Sequence, residues 1–216
     1  MKENFLISTG GSGGHVLPAI TLCEHLSKEA NLLISTDKRG LKYFDSESYR
    51  FEIIDTPKLN NIFFLPFNLI KVLFLTVKSV NLLKDEKIKK VFSIGGYMSL
   101  PLILASRLLR LKIYLIEPNQ VLGRANKYFL RSCKKIFCYT KSVKNFPDNF
   151  KNKIVTINPL VRKYIYNLKI SNEVNNKLTL IIVGGSQGAN IFDKNLKNLI
   201  LNITKKKSIK VIQQTN

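Results

Sequence analysis

Residues 8–15 read Ser-Thr-Gly-Gly-Ser-Gly-Gly-His, with four glycines in the five positions from Gly10 to Gly14. A strand-like apolar run at 5–9 precedes them, and a helix-like apolar pattern follows. A helix N-terminus offers unpaired N–H groups and partial positive charge, and bare backbone lets an anion approach them. The chemistry that suits Ser12, Gly13 and Gly14 is therefore phosphate binding. The plain alternative is a tight strand-to-helix turn that holds nothing. A P-loop is excluded, because no Lys-Ser/Thr pair closes the loop. The dinucleotide fingerprint is met in part: Gly11 and Gly13 fit and Val16 does not, while Asp37 stands where a ribose-binding acid would be expected.

The loop has a counterpart. Residues 6–16, LISTGGSGGHV, align without gaps on 180–190, LIIVGGSQGAN. Such self-similarity predicts two βα units, each opening a nucleotide-type domain.

The elements that must position these loops follow from an alternation of short apolar runs and helical patterns. Strands are predicted at 5–9, 31–36, 51–55, 90–94, 112–116, 135–139 and 153–157, with helices at 14–29, 66–84, 99–110 and 121–132. This βαβ order implies an α/β fold with a parallel sheet and helices on both faces. Residues 1–160 make a first domain and 161–177 a linker. Residues 178–216 begin a second domain, with a strand at 178–183, a helix at 190–203 and a strand at 208–213. A piece that short cannot cover both faces of a sheet. The expectation is an incomplete second domain, and a chain that on its own lacks useful activity.

Composition sets further bounds. The chain has 216 residues, 45% of them hydrophobic, and a net charge of +21 from 35 Lys+Arg against 14 Asp+Glu. That charge favours anionic partners, phosphate or a membrane surface. The lysines are scattered with no interleaved aromatic signature, so nucleic acid is not an expected partner. Cys23, Cys133 and Cys138 form no metal-type or redox pair and read as reduced thiols. No signal-peptide pattern opens the chain. Residues 62–83 approach the length and apolarity of a spanning helix, but Pro66, Asn68, Lys71, Lys78 and Asn81 interrupt them. The polar residues fall on one side, so 68–83 is expected to be an amphipathic helix packed on the sheet. The aromatic stretch 62–71 with its lysines suits a peripheral, salt-sensitive contact with an anionic membrane.

Taken together, four motifs resemble the bacterial glycosyltransferases that add N-acetylglucosamine to lipid-linked muramyl-pentapeptide. They are GGSGGHVLP at 10–18, GGYMSLP at 95–101, EPNQVLGRANK at 117–127 with Gly123, Asn126 and Lys127 in register, and GGSQGAN at 184–190. Two departures stand out. The family's His-Glu-Gln-Asn-Gly is here Ile116-Glu117-Pro118-Asn119-Gln120, and its Asn-Pro-Val-Arg is here Asn158-Pro159-Leu160-Val161-Arg162.

The resemblance implies a GT-B-like chain: a complete N-terminal Rossmann-like domain and the start of a second one that binds the nucleotide sugar. It implies an inverting transfer from UDP-N-acetylglucosamine to the undecaprenyl-pyrophosphoryl-muramyl-pentapeptide acceptor, on the cytoplasmic face of the inner membrane. His15 would be the base, with Glu117 as the fallback base. Ser12, Gly13, Gly14, Asn119, Arg162, Gly185, Ser186 and Gln187 would bind substrate. Tyr97 and Ser99 read as turn and cap residues, and His25 as a residue of the helix face. No cofactor is called for, since no Asp-x-Asp pair is present to chelate a metal-bound diphosphate. Two other readings stay open: a nucleotide-dependent oxidoreductase using the first loop and Asp37, and a non-catalytic remnant that binds phosphate or lipid.

Overall fold

The computed structural model describes residues 2–44, 49–59, 62–169 and 178–214. Two compact units divide the chain, residues 1–166 and 167–216. The expected linker at 161–177 lies partly outside the described residues, from 170 to 177.

The first unit is built on strands β1 (Glu3–Ser8), β2 (Ala30–Thr36), β3 (Phe51–Ile53), β4 (Ile88–Ser93), β5 (Lys112–Glu117), β6 (Lys135–Cys138) and β7 (Ile154–Thr156). They form one seven-stranded sheet in the order β3-β2-β1-β4-β5-β6-β7, and every pairing is parallel. Parallel neighbours need crossovers. These are α1 (Gly13–Leu26), the single turn α2 (Lys38–Leu41), α3 (Leu65–Asp85), α4 (Leu100–Leu108) and α5 (Arg124–Phe129).

Period-2 alternation in the strands splits the core into two layers. Leu6, Leu33, Val91, Ile113, Leu115 and Ile136 pack with Leu83 of α3, Leu102 and Ile103 of α4, and Phe129 of α5. Phe5, Ile7, Ile34, Phe92, Ile94 and Ile116 point the other way, onto Ala19 and Cys23 of α1. The cysteines belong to these layers as buried free thiols, and burial pushes Cys23 up to about 12 and Cys138 up to about 11.

After β7 the chain returns to α1. Leu160 N–H donates to the Tyr139 hydroxyl at 3.2 Å, His25 Nε2 to the Val161 carbonyl at 2.9 Å, and Lys163 N–H to Glu24 Oε2 at 3.0 Å. His25 is thus more than a helix-face residue: it clamps the returning segment.

Helix α3 departs from the expected amphipathic packing. Its inward stripe is Val72, Thr76, Ser79 and Leu83, with the Thr76 and Ser79 hydroxyls turned back to the carbonyls of Val72 and Leu75. Phe67, Ile70, Leu73, Phe74 and Val77 face outward, between 61% and 71% exposed. Lysines on the wheel were a poor guide, because Lys78 leaves the helix to pair with Glu52 at 2.8 Å.

The second unit, taken by itself, is β8 (Leu178–Ile182), α6 (Gly185–Lys206) and β9 (Ile209–Gln213), with β8 and β9 paired in parallel. Leu178, Ile181, Leu199 and Ile212 stay exposed on it.

The fold makes a direct prediction. Leu115 is fully buried in the centre of the sheet, so Leu115→Ala should lower the stability of the first unit by about 3 kcal/mol in urea denaturation, with little change in slope.

Candidate functional site

Strand order reverses between β1 and β4, because β1 leads outward to β2 while the next crossover returns to β4 on its other side. Ligands of open α/β sheets bind at this point, beyond the carboxyl ends of the strands. Small buried residues floor it: Ser8 of β1 lies opposite Ser35 of β2 and Ser93 of β4. Two glycine loops rise from this floor, Gly10–Gly14 after β1 and Gly95–Gly96 after β4.

The first loop is held by Asp37 at the end of β2, whose side chain is 3% exposed. Its Oδ1 accepts the N–H groups of Gly11 and Gly40, both at 2.8 Å. Its Oδ2 accepts Arg39 Nε at 3.0 Å and Nη2 at 2.8 Å. Burial would push the carboxyl up, but the two N–H groups and Arg39 outweigh it and hold Asp37 below its ordinary range. Both oxygens are occupied, so Asp37 is a loop anchor rather than a ribose ligand. The oxidoreductase reading loses the residue it depended on. Gly11 adopts φ +80°, which disfavours any side chain, and a Cβ there would press on Met98 Cε at 3.0 Å. Gly14 differs: a Cβ there would meet only Ser12 Oγ, at 3.7 Å. The first of these glycines serves the fold, and the last leaves space.

The second loop is tied across the switch point. Ser8 Oγ donates to Ser99 Oγ at 3.0 Å, and Ser99 Oγ donates to the Gly95 carbonyl at 3.2 Å. Ser99 is therefore a turn residue, as its sequence context suggested. Tyr97 is more than that, since its hydroxyl accepts from Arg39 Nη2 at 2.6 Å and so joins the second loop to the anchor of the first.

His15 sits in the first turn of α1 and reaches the end of β4, where Nδ1 donates to the Ile94 carbonyl at 3.1 Å. A carbonyl can only accept, so Nδ1 carries the proton and neutral His15 keeps its lone pair on Nε2. Among the described residues, none bonds Nε2. Ser12 caps α1 through its carbonyl, which accepts the N–H groups of His15 and Val16 at 3.0 and 3.2 Å; its side chain makes no cap bond. Ser12, Gly13, Gly14 and His15 thus come together at the switch point.

Glu117 corrects an expectation. It is 1% exposed at the end of β5. Its Oε1 accepts the backbone N–H and Nδ2 of Asn119 at 3.2 and 2.9 Å. Its Oε2 accepts Gly123 N–H at 2.8 Å and Asn126 Nδ2 at 3.0 Å. Four donors on a buried carboxylate leave it no capacity to act as a base, so Glu117 shapes its loop as Asp37 shapes the first. Asn119 spends one side-chain donor on it and stays exposed. Asn126 Oδ1 is the one buried side-chain polar atom without a partner among the described residues, and a Cβ on Gly95 would lie 3.3 Å from it. Arg162 is not brought to the loops. It lies between Val161 and Lys163, which bond the C-terminal end of α1, roughly 16 Å of helix from Gly14. Gly185, Ser186 and Gln187 open α6 in the second unit.

Arg39 and Met98 were not singled out in the sequence. The signal for Arg39 was its place two residues after an acid at a strand end. Nothing in the sequence marked Met98.

A parallel sheet with a glycine loop on each arm of its switch point is a nucleotide-type α/β domain of the kind found in sugar-transferring enzymes. The chain belongs to glycosyltransferase family 28: residues 5–138 match the glycosyltransferase family 28 N-terminal domain. It is 45% identical to a Pelagibacter ubique protein over 100% of its own length and 61% of that protein. It is 38% identical to one from Rickettsia canadensis over 99% of its length and 61% of that protein. Both bear the name UDP-N-acetylglucosamine–N-acetylmuramyl-(pentapeptide) pyrophosphoryl-undecaprenol N-acetylglucosamine transferase. The chain spans about three-fifths of the length of these relatives. Its fold matches the crystal structure of Acinetobacter baumannii MurG with a TM-score of 0.73 at 23% identity, over 98% of this chain and 60% of that one.

The depressed Asp37 predicts an acid limb. Its stabilising contribution is complete above the unfolded carboxylate value of about 4 and is lost as pH falls through the lower folded value. Asp37→Asn should remove about 2 kcal/mol at pH 7, measured by thermal melting, and flatten the fall in melting temperature below about pH 4.

Proposed function

We propose that the chain carries the acceptor-binding domain of an inverting N-acetylglucosaminyltransferase. The donor is UDP-N-acetylglucosamine, and the acceptor is the undecaprenyl-pyrophosphoryl-N-acetylmuramyl-pentapeptide of peptidoglycan synthesis. The observation that carries the reading is the His15 bond to Ile94, which in the neutral imidazole puts the lone pair on Nε2, beside a glycine loop suited to phosphate. The relatives' names supply the two substrates.

In this reading the acceptor's pyrophosphate rests against the N–H groups of Ser12, Gly13 and Gly14 at the start of α1. Its sugar hydroxyl attacks the anomeric carbon of the donor. The C–O bond to UDP breaks as the new glycosidic bond forms, and the hydroxyl proton passes to His15 Nε2. Asn119 orients the acceptor. The diphosphate of UDP collects negative charge, which the first turn of α6 with Gly185, Ser186 and Gln187 stabilises; Arg162 supplies a cation for substrate phosphate. No metal or organic cofactor enters these steps.

The same reading places the protein on the cytoplasmic face of the inner membrane. Phe63 and Phe64 are 89% and 61% exposed and continue into the outward face of α3. Solvent-exposed aromatic rings at the start of a helix that carries Lys71 suit the boundary between headgroups and acyl chains.

Two experiments test this. In a form of the enzyme with a complete donor domain, His15→Ala should lower kcat by at least about 100-fold and leave the KM for donor within about threefold. Gly14→Ala should melt normally and raise the KM for acceptor about tenfold, because its Cβ fills the open side of the loop; normal kinetics would make the loop a folding device only. In vesicle sedimentation, Phe63→Ser with Phe67→Ser should release the protein from anionic lipid, and unchanged binding would remove the membrane part of the proposal.

A further inference from the structure

The positioning of Arg39 goes beyond what anchoring a loop requires. A guanidinium has five N–H donors in a fixed plane. Arg39 commits Nε and one Nη2 hydrogen to Asp37 Oδ2, and the other Nη2 hydrogen to the Tyr97 hydroxyl. Nη1 and its two N–H groups bond no described residue. The side chain is 50% exposed while its counter-ion is 3% exposed, so the carboxylate faces the protein and the cation faces solvent. Asp37 is also answered from behind by the Gly11 and Gly40 N–H groups. The positive charge at the surface is therefore less completely cancelled than in an exposed ion pair.

The location is equally specific. Asp37 fixes Arg39 against the first glycine loop, and a Cβ on Gly11 would lie 3.6 Å from Arg39 Nη2. Tyr97 fixes it against the second loop, with the guanidinium 5.7 Å from the centre of the ring. One cation is thus clamped between the two loops of the switch point. A pair of anchors on one edge of a long side chain removes its rotamer freedom before any ligand arrives, the usual means of making a cation selective.

We infer that Arg39 is an anion-recognising residue of this site, with Nη1 donating to a phosphate oxygen of a pyrophosphate ester, and that Tyr97 is the positioning residue that holds it there. The inference rests on the acceptor reading above for the identity of the ester, but not for the anion chemistry itself. Arg39 neither attacks nor moves a proton. It sets the depth at which the phosphate sits against the Ser12–Gly14 backbone.

Calorimetric titration of the 216-residue chain tests it, with inorganic pyrophosphate and with a short-chain prenyl-pyrophosphoryl-N-acetylmuramyl-pentapeptide as separate probes. Phosphate-free N-acetylmuramyl-pentapeptide serves as the control. Arg39→Ala should weaken both pyrophosphate probes at least tenfold, reduce the salt dependence of their binding and leave the control unchanged. Arg39→Lys, which keeps charge but not the fork, should recover part of the loss. Tyr97→Phe should fall between the parent and Arg39→Ala. Because Arg39 is half-exposed and Asp37 keeps the Gly11 and Gly40 N–H groups, the melting temperature of Arg39→Ala should stay within about 4 °C of the parent. Parent-like binding of pyrophosphate by Arg39→Ala, or equal loss of all three probes in both Arg39 variants, overturns the inference. Binding of inorganic pyrophosphate through Arg39 without binding of the muramyl probe supports it and overturns the acceptor reading instead. A parent that binds neither pyrophosphate probe overturns both.

Discussion

A carboxylate buried at a strand end must find donors or stay protonated, and in this protein that requirement shapes the site. Asp37 gathers its donors from three directions: the first glycine loop, the turn that follows β2, and Arg39. Satisfying it pins Gly11 in a left-handed conformation. That pin sets where the loop turns into α1 and hence where His15 meets β4. Glu117 repeats the arrangement at the end of β5, drawing Asn119, Gly123 and Asn126 around its two oxygens. One acid that reads as a ribose ligand and one that reads as a base are both spent on architecture, and neutral His15 keeps a lone pair on Nε2.

Division of labour within the glycine loop follows from the same constraint. Gly11 is glycine because of its backbone and because Met98 lies against it; Gly14 has room on its outer side. A loop that were only a turn would need no such room. This contrast, more than the count of glycines, supports a ligand at the start of α1. The outward apolar face of α3 is a second feature that packing does not use, since Val72, Thr76, Ser79 and Leu83 turn inward and Leu75, Val80 and Leu82 pack beside them.

Much of this was legible in the sequence. The strand positions, the parallel order and the placement of the first glycine loop follow from period and punctuation, which are local properties, whereas Gly95–Gly96 stood out only through the family resemblance. Every strand expected from 5–9 to 153–157 is present with shifted ends. What was not legible depends on partners far away in the chain. Asp37 reads as a ribose ligand until Gly11 and Gly40 are seen to occupy it. Glu117 reads as a base until the segment after it folds back over its oxygens. His25 gave no hint that a carbonyl 136 residues later would claim it. The wheel of α3 misled for a different reason: small hydroxyl residues can face inward once they bond their own helix backbone, which frees the large apolar side chains for the outside.

The central claim is that the fold delivers His15 with its proton on Nδ1 and a lone pair on Nε2, directed by the Ile94 carbonyl. Long-range nitrogen–carbon NMR correlation on the neutral imidazole reads that tautomer directly. The account predicts the Nδ1–H form for His15, opposite to the Nε2–H form expected of His25, which donates to Val161. A His15 ring protonated on Nε2 would contradict it, because the nitrogen assigned to take the acceptor's proton would already hold one.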